Sequence, residues 1–525
     1  MTSRTLTLSG TSYPLILPNI RDPRLHVAAV IITIHVLGQI GLHFRVSVPQ
    51  ILAAILTSAI IEVALTFRQS RSFVWPASAM LTGSGVALIL RVVGTPPDDP
   101  WNTSSWSIFA AVAGLSLLTK YVIRSRGSHV FNPSNIGLVA AFVVLGSTRV
   151  EPLDFWWAPL NLPMVAGYVA IIGGGLLITR RLHLLALAAT FWLTLATGIG
   201  ILAASGHCMT ANWAFAPVCG FDYWRTIVTS PELMIFLFFM ITDPKTVPSG
   251  RVGRVVFGVL VALTSTLLMA PQTDEFGTKV GLLAGLVVLC AGRPILDRLL
   301  PEPRSTADEL GRFATRLATG GQAGAGLARG AVRIGLVGLA VLAVGGGIVA
   351  AGTPARGLVG LNAAEALDTV PHQVDPATFP AITVERDVTD RYPEIDAAGA
   401  QPLLLTLGEN LSIESQALLR RDPALLTAVD HGDRLAEMQG LLQRATATGT
   451  TVIARYRFDS VNVTVVRPFG VQSGLSLGFA SRGTVIEETY DAGGHLLSQQ
   501  SSPFARTFVI RRATGQRWLN VAVLP

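Results

Sequence analysis

Long apolar runs recur along the first two thirds of the chain, and they constrain its fold more than any other feature. A helix of about twenty apolar residues can cross the hydrocarbon core of a bilayer. Only 14% of the 525 residues are charged, well below the roughly 25% of soluble domains. We therefore predict an all-α polytopic membrane protein with about eleven transmembrane helices. The predicted spans are 27–44, 46–66, 73–93, 107–123, 134–148, 162–179, 183–205, 226–242, 254–270, 277–292 and 333–352.

Lysine and arginine are distributed unevenly between the loops that join these spans. They cluster before the first span and after every second one, whereas the intervening loops are neutral or acidic. Because short basic loops stay in the cytoplasm, residues 25 and 304 are both predicted to be cytoplasmic. The net charge of +7 then reflects topology, and no nucleic-acid partner is predicted. The basic positions are Arg21, Arg24, Arg68, Arg71, Lys120, Arg124, Arg126, Arg180, Arg181, Lys245, Arg251, Arg254, Arg293, Arg298 and Arg304.

One predicted span ends abruptly at Thr242-Asp243-Pro244. Proline cannot continue a hydrogen-bonded helix, and it disfavours the helical region for the residue before it. The break therefore leaves a hydroxyl, a carboxylate and free backbone groups at the edge of the hydrocarbon. Such groups are costly there unless they are paired, which favours a ligand or ion site. The simpler alternative is a helix stop and a cytoplasmic loop, since Asp-Pro is common in turns.

A second break, Asn132-Pro133, lies on the same predicted side of the membrane. Asn132 suits a helix N-cap and Pro133 suits the first helical turn. The exposed N–H groups of that turn favour an anion or a carbonyl-rich ring, although a well-capped helix would explain the same residues. If the two breaks meet, they form a pocket with donors on one wall and acceptors on the other.

Two further polar features lie inside predicted spans. Glu62 is an acid within an apolar run, where it either takes part in ion movement or reaches water from the inner edge of the membrane. The segment Ser78-Ala-Met-Leu-Thr82-Gly83 is small and polar, so that another group can approach its backbone closely.

The cysteines suggest one covalent cross-link. Cys208 and Cys219 share a predicted outer loop, where a disulfide is chemically allowed, and two free thiols are the alternative. His207 alone supplies too few nearby ligands for a metal site, so no metal is predicted. Cys290 lies in an apolar run and is predicted to be a small core residue.

The last third of the chain changes in character. Residues 305–332 form a predicted cytoplasmic basic linker with an amphipathic stretch at 306–317. A span rich in glycine and alanine, residues 333–353, follows and is suited to close helix packing. Residues 1–24 form a cytoplasmic segment at the other end of the chain.

Residues 354–525 have ordinary charge density and are predicted to fold as an α+β domain outside the membrane. A helical pattern covers 411–445. The pair Asp430-His431 is the only one in this region that resembles acid–base chemistry, and a solvated turn is the preferred interpretation. Strands are predicted at 451–458, 461–467, 474–480, 484–490, 505–512 and 517–523.

Four motifs, in this order and spacing, resemble one family of membrane proteins. They are Ser78-Ala-Met-Leu-Thr-Gly83, Lys120, Phe131-Asn-Pro-Ser-Asn-Ile-Gly137 and Phe239-Met-Ile-Thr-Asp-Pro-Lys-Thr246. The combination resembles RnfD, a membrane component of Rnf electron-transport complexes, and its homologue NqrB in the sodium-pumping NADH:quinone reductase. It is also similar to the UnbU proteins of enediyne gene clusters. The resemblance covers about residues 25–304.

The resemblance implies ten spans in two inverted halves of five, to which this chain adds one helix and the C-terminal domain. It implies a component of a redox complex in a bacterial plasma membrane, with other subunits as partners and no catalysis by this chain alone. Residues 305–525 lie outside the resemblance, and a protein partner for the outer C-terminal domain is a separate expectation. An electron-transport or ion-translocating function follows, and the alternative is a non-redox transporter or export factor of the UnbU type.

The resemblance also implies a flavin, either FMN or riboflavin. Family members attach one FMN to a threonine in an outer loop, but here residues 146–154 lack the Ser/Thr-Gly-Ala-Thr motif, and Thr148 is the only nearby candidate. A noncovalent flavin is therefore expected, and Glu62 and Asp243 are the expected ion pathway. The expected flavin-site residues are Ser78, Thr82, Gly83, Lys120, Asn132, Pro133, Asn135, Thr242, Asp243 and Thr246.

Overall fold

A computed structural model divides the chain into two compact units. The first comprises residues 1–210 and 218–358, and the second comprises residues 211–217 and 359–525. The structure describes residues 2–8, 11–42, 44–95, 99–125, 127–153, 160, 162–211, 214–306, 308–319, 339, 342–353, 370, 374–390, 392–466, 476–512 and 517–525.

Helices dominate the first unit. Six are long and apolar enough to cross a membrane: α1, α2, the continuous pair α6–α7, α8, α11 and α12. A membrane-embedded protein is thus confirmed, while the number and direction of the spans stay predictions. The helices are α1 (Pro23–Ile40), α2 (Val48–Ser70), α3 (Ala77–Ile89), α4 (Trp106–Val122), α5 (Pro133–Leu145), α6 (Leu162–Tyr168), α7 (Gly174–Arg181), α8 (Leu185–Ala204), α9 (Gly220–Thr229), α10 (Pro231–Ile235), α11 (Arg251–Met269), α12 (Glu275–Leu299), α13 (Leu310–Thr319) and α14 (Leu342–Ala351).

Short strands join these helices. The N-terminal hairpin β1–β2 was not predicted, and β3 adds to it in parallel. Tyr13 packs its ring against Phe67 and Phe73 at centroid distances of 5.3 and 6.0 Å, which fixes the hairpin on the end of α2. The strands are β1 (Thr2–Leu8), β2 (Thr11–Leu17), β3 (Phe73–Val74), β4 (Leu90–Val92), β5 (Arg124–Ser125), β6 (Ser128–His129), β7 (Val150–Pro152), β8 (Cys208–Ala211) and β9 (Ala214–Cys219).

Two predicted spans differ from the helices that form. The span predicted at 73–93 contains only α3, because strands occupy both of its ends. The span predicted at 226–242 breaks at Ser230, whose Oγ accepts the N–H of Leu233 at 3.1 Å and starts α10. Proline at 231 explains this break, since it favours the first turn of a new helix. Helix α14 covers 342–351 of the span predicted at 333–352, whereas residues 333–338, 340 and 341 of that span and residues 307 and 320–332 of the linker lie outside the described residues.

Helix α3 is at the centre of the packing in the first unit, where it contacts α1, α2, α4 and α5. Glycine permits this closeness at two positions. A Cβ atom at Gly83 would lie 2.4 Å from the carbonyl oxygen of Ala54. A Cβ atom at Gly85 would lie 3.2 Å from the hydroxyl of Ser134. The small, polar stretch of α3 thus serves helix packing.

The second unit has the predicted α+β character. Its five-stranded sheet has the order β10-β11-β12-β13-β14, with β10 parallel to β11 and the other pairs antiparallel. The core joins Leu404 and Leu407 of α16 to the rings of Phe479 and Phe508 on the sheet. The elements are β10 (Ile382–Val384), α15 (Arg386–Thr389), α16 (Ala397–Arg420), α17 (Pro423–Val429), α18 (Gly432–Thr448), β11 (Thr451–Val466), β12 (Ser476–Tyr490), β13 (Leu496–Arg512) and β14 (Trp518–Leu524).

Element boundaries in this unit correct the sequence-based ones. The two strands predicted at 451–467 are one strand, β11, with a register shift at Asp459. The strands predicted at 474–490 are likewise one strand, β12. The helical pattern predicted at 411–445 is divided among α16, α17 and α18. Proline at 423 and glycine at 432 mark these divisions, as expected for residues that begin or end helices.

The interpretation of Asp430-His431 as a solvated turn was wrong. Asp430 is 1% exposed, and the N–H of His431 donates to the carbonyl of Asn520 at 2.8 Å. Burial and the nearby charge of Glu414 raise the pKa of Asp430 well above its usual range. Although burial opposes its ionisation, Glu414 has a lowered pKa because Arg434 binds it. The turn-like sequence is buried because β14 closes over it.

The two cysteines of the predicted outer loop are the first residue of β8 and the last residue of β9. Cys208 and Cys219 form a disulfide, with their Cα atoms 4.3 Å apart. Cys290 is a buried free cysteine on α12. Beyond α12, Asp308 accepts the N–H of Val252 at 2.9 Å and so attaches the start of the linker to the start of α11.

Candidate functional site

A cavity of about 400 Å³ lies among α1, α3, α5, α7 and the segment that follows α10. Ligand pockets in proteins commonly have volumes of about 300–1,000 Å³. Apolar side chains form much of its wall, including Ile178 on α7 and the rings of Phe238 and Phe239. Six of the sequence-predicted site residues line it: Ser78, Thr82, Asn132, Pro133, Thr242 and Asp243.

Asn132 joins the two predicted helix breaks. Its Oδ1 accepts the N–H of Asn135 at 3.2 Å and the hydroxyl of Ser134 at 2.9 Å, so that it caps α5. Its Nδ2 donates to the carbonyl of Met240 at 3.2 Å, across 108 residues of sequence. Asn132 therefore caps the helix at one break and donates to a backbone carbonyl at the other. Both ends of its side-chain amide are hydrogen-bonded within the protein.

The second break presents a carboxylate to the cavity. A π-helical turn, Phe236–Met240, precedes it, and Thr242 returns its hydroxyl to the carbonyl of Phe238 at 2.5 Å. Pro244 ends the helix, so that the side chain of Asp243 accepts the N–H of Lys245 at 3.0 Å through Oδ1. The other carboxylate oxygen lies 3.2 Å from Nε2 of His129.

Sequence analysis did not assign Asp22, Arg24 or His129 to the site, although all three line the cavity. Asp22 caps α1, and Arg24 donates to it from Nη2 at 2.6 Å. That hydrogen bond is the main reason that the pKa of Asp22 lies below its usual range. Two signals were available in the sequence: the Asp22-Pro23-Arg24 cap and the position of His129 three residues before Asn132. Neither predicts which distant residues these side chains contact.

The other predicted site residues do not line the cavity. Gly83 packs on the backbone of α2. Asn135 donates through Nδ2 to the carbonyl of Leu283 at 3.0 Å, which ties α5 to α12. Thr246 returns its hydroxyl to the carbonyl of Asp243 at 3.1 Å. Lys120 approaches the wall through the hydroxyl of Ser78, at 3.4 Å.

Glu62 is mostly buried and paired within the protein, a pairing that neither of its two interpretations included. Its side chain is 12% exposed, and its two oxygens lie 2.8 and 3.0 Å from Nζ of Lys120. The hydroxyl of Tyr121 donates to it at 2.6 Å. Because α2 and α4 pack side by side, these residues form a buried ion pair directly behind the Ser78 wall of the cavity.

Sequence comparison gives a consistent result, although no family model matches the chain. A Cronobacter sakazakii protein, named as the D subunit of an ion-translocating oxidoreductase complex, is 26% identical over 284 residues, which cover 42% of this chain and 78% of that protein. The protein of the same name from Klebsiella pneumoniae is 23% identical over 292 residues, with the same shares. A Clostridium ljungdahlii protein, named as the D subunit of a proton-translocating ferredoxin:NAD(+) oxidoreductase complex, is 24% identical over 300 residues, or 49% of this chain and 82% of that protein.

The resemblance to RnfD is confirmed. By their names, the RnfD relatives are components of multi-subunit complexes that move ions and transfer electrons. Together with the apolar helices, the similarity to these membrane-complex subunits supports a membrane-embedded protein. The likeness to RnfD covers less than half of this chain.

Proposed function

We propose that this chain is the flavin-binding membrane component of an ion-translocating redox complex, and that the cavity between the two helix breaks holds the flavin without a covalent bond. One observation supports this most directly: residues about 110 positions apart in sequence, on the Asn132 and Asp243 breaks, meet around one cavity of about 400 Å³. The names of the RnfD relatives support the redox part of the proposal.

The chemistry of the cavity wall fits an isoalloxazine ring. Such a ring has two apolar faces and an edge that carries hydrogen-bond donors and acceptors. Phe238, Phe239 and Ile178 offer apolar surface, whereas Thr82 and Asp243 offer polar groups on the same cavity. A bound flavin would supply electron transfer in one- or two-electron steps, while the protein would supply binding, orientation and electrostatics.

The chain's own residues would position the ligand and exclude water. Asn132 holds the break at the start of α5 against the carbonyl of Met240, so the two walls keep a fixed separation. Asp243 is held from two sides, by the N–H of Lys245 and the imidazole of His129, in a position on the cavity wall. Such preorganised polar groups bind a ligand without reordering on arrival.

The experiment is the visible spectrum of the full chain purified from membranes, before and after acid precipitation. A yellow protein that releases its flavin into the acid supernatant is the expected result. Flavin that stays with the pellet would show a covalent link, with Thr148 as the residue to map. A colourless protein from flavin-replete cells would refute the proposal.

Two variants test whether the flavin binds beside Asp243. Asp243→Ala should lose the flavin while its membrane expression stays at the wild-type level, because a polar wall residue of the cavity is removed. Asp222→Ala is the matched control, since Asp222 is 71% exposed and pairs with Arg225 on the same helix. If Asp243→Ala kept the wild-type flavin content, the Thr242-Asp243-Pro244 break would end a helix and have no role in flavin binding.

A non-redox transporter or export factor of the UnbU type is the second candidate. The loop at residues 146–154 favours it, because it lacks the flavin-attachment motif of the family. This candidate predicts a colourless protein in the same experiment. Under either function we propose the predicted topology, with two inverted five-helix halves, a cytoplasmic N-terminus and an extracytoplasmic C-terminal domain.

A further inference from the structure

His129 is an ionisable side chain of the cavity wall, and its geometry gives it a role beyond packing. It is 8% exposed, and its Nε2 lies 3.2 Å from Oδ2 of Asp243. We propose that the His129–Asp243 pair is the proton donor to a ring that is reduced in the cavity. This inference rests on the proposed function of the cavity as a flavin site.

The local structure holds both members of the pair in place. His129 ends β6, which pairs with β5 through a turn at Gly127, whose φ is +82°. The next residue, Val130, donates its N–H to the carbonyl of Ile123 at 3.2 Å, so the imidazole stays directed at the second break. Asp243 is held by the N–H of Lys245. A fixed donor is the geometric requirement of general acid catalysis.

The charged groups around the pair leave the imidazole as the group suited to proton exchange. Histidine ordinarily titrates between about pH 5 and 8, whereas carboxyl, ammonium and guanidinium groups ordinarily keep one charge state there. Arg24 is neutralised by Asp22 at 2.6 Å. Among the described residues that line the cavity, His129 is the one imidazole. Charged or titratable groups on the neighbouring elements include Asp22, Arg24, His26, Arg124, Arg180, Arg181, Asp243, Lys245, Arg293 and the buried thiol of Cys290.

The proposed step is a proton transfer that accompanies electron transfer. His129 releases the proton of one ring N–H bond to a nitrogen of the bound ring, as that ring takes up an electron from a one-electron carrier of a partner protein in the complex. The Asp243 side chain, whose Oδ2 lies 3.2 Å from Nε2, would stabilise a positive charge on the imidazole before the transfer. The neutral imidazole then takes a proton from water at the cavity mouth, where Pro244 and Lys245 are exposed. One proton therefore enters from that side for each transfer.

The test uses the purified full chain with its bound flavin and the variant His129→Gln, which keeps hydrogen-bonding groups but cannot titrate. Stopped-flow bleaching of the flavin by dithionite is recorded across the range in which histidine titrates. The wild-type rate should fall as the pH rises. The variant should keep its flavin, react about 100-fold more slowly at the acidic end, as is typical for loss of a general acid, and show a flat pH profile.

Two controls separate this role from a structural one. Added imidazole should restore part of the rate to His129→Gln, because a free imidazolium can enter the space that the ring vacates. His26→Gln should behave as wild type, since His26 lies on α1 but does not line the cavity. A wild-type rate and pH profile in flavin-loaded His129→Gln would overturn the proposal. Loss of flavin from that variant would also overturn it, by making His129 a binding contact, whereas wild-type protein without flavin would overturn the proposed function itself.

Discussion

Removal of the carboxylate of Glu62 tests the ion pair that lies behind the cavity. We predict that Glu62→Gln destabilises the first unit, because it leaves the ammonium group of Lys120 without its counter-charge. The two side chains are only 12% and 14% exposed, and the Lys120 Nζ contacts both carboxylate oxygens within 3.0 Å. The amide of glutamine can still accept the hydroxyl of Tyr121, so the loss is mainly one of charge.

The size of the effect follows from this burial. Removing one partner of a buried ion pair costs about 3–5 kcal/mol, and the residual exposure of both groups places this pair at about 3 kcal/mol. Replacing both partners with neutral groups is often harmless. The double variant Glu62→Gln/Lys120→Met should therefore recover most of the loss, as a double-mutant cycle measures directly.

The assay is thermal unfolding of the detergent-purified full chain. Size-exclusion chromatography after heating measures the fraction of the protein that has not aggregated. The apparent melting temperature of Glu62→Gln should fall by about 4 °C, since the entropy of unfolding grows with the size of the unit. Glu309→Gln is the matched control, because the Glu309–Arg312 pair is about 60% exposed. A wild-type melting temperature for Glu62→Gln, with additive effects in the double variant, would refute the reasoning and restore a water-exposed Glu62.

The remaining predictions concern other regions of the chain. The raised pKa of Asp430 means that its protonated form stabilises the second unit; this contribution is complete at low pH and is lost as the pH rises through the folded-state pKa. Asp430→Asn should abolish that pH-dependent loss in hydrogen exchange of α16 peptides, and an unchanged pH dependence would contradict it. Peptide mapping without reduction should recover Cys208 and Cys219 in linked peptides, not as free thiols. An impermeant maleimide should label Gln401→Cys in intact cells and spare Leu310→Cys, and the opposite pattern would refute the proposed topology.

Part of the candidate site was predictable because its signals are local. The break at Thr242-Asp243-Pro244 and the cap at Asn132-Pro133 follow from the chemistry of proline and asparagine at helix ends. Both sets of residues line the cavity. The role of Gly83 was not predictable in detail, since its closest neighbour is the backbone of Ala54 on another helix. A small residue indicates that another group comes close, but not which group does so.

The sequence by itself determined that this is a membrane protein and where several helices end, since apolar length and proline act within one segment of chain. Only the tertiary structure decided which polar groups meet. His129 and Asp243 are 114 residues apart, and Lys120 and Glu62 are 58 apart. Asp430 lies in a turn-like sequence and is buried because β14 closes over it. These pairings depend on how whole helices and strands pack, and no periodicity within a single segment records that packing.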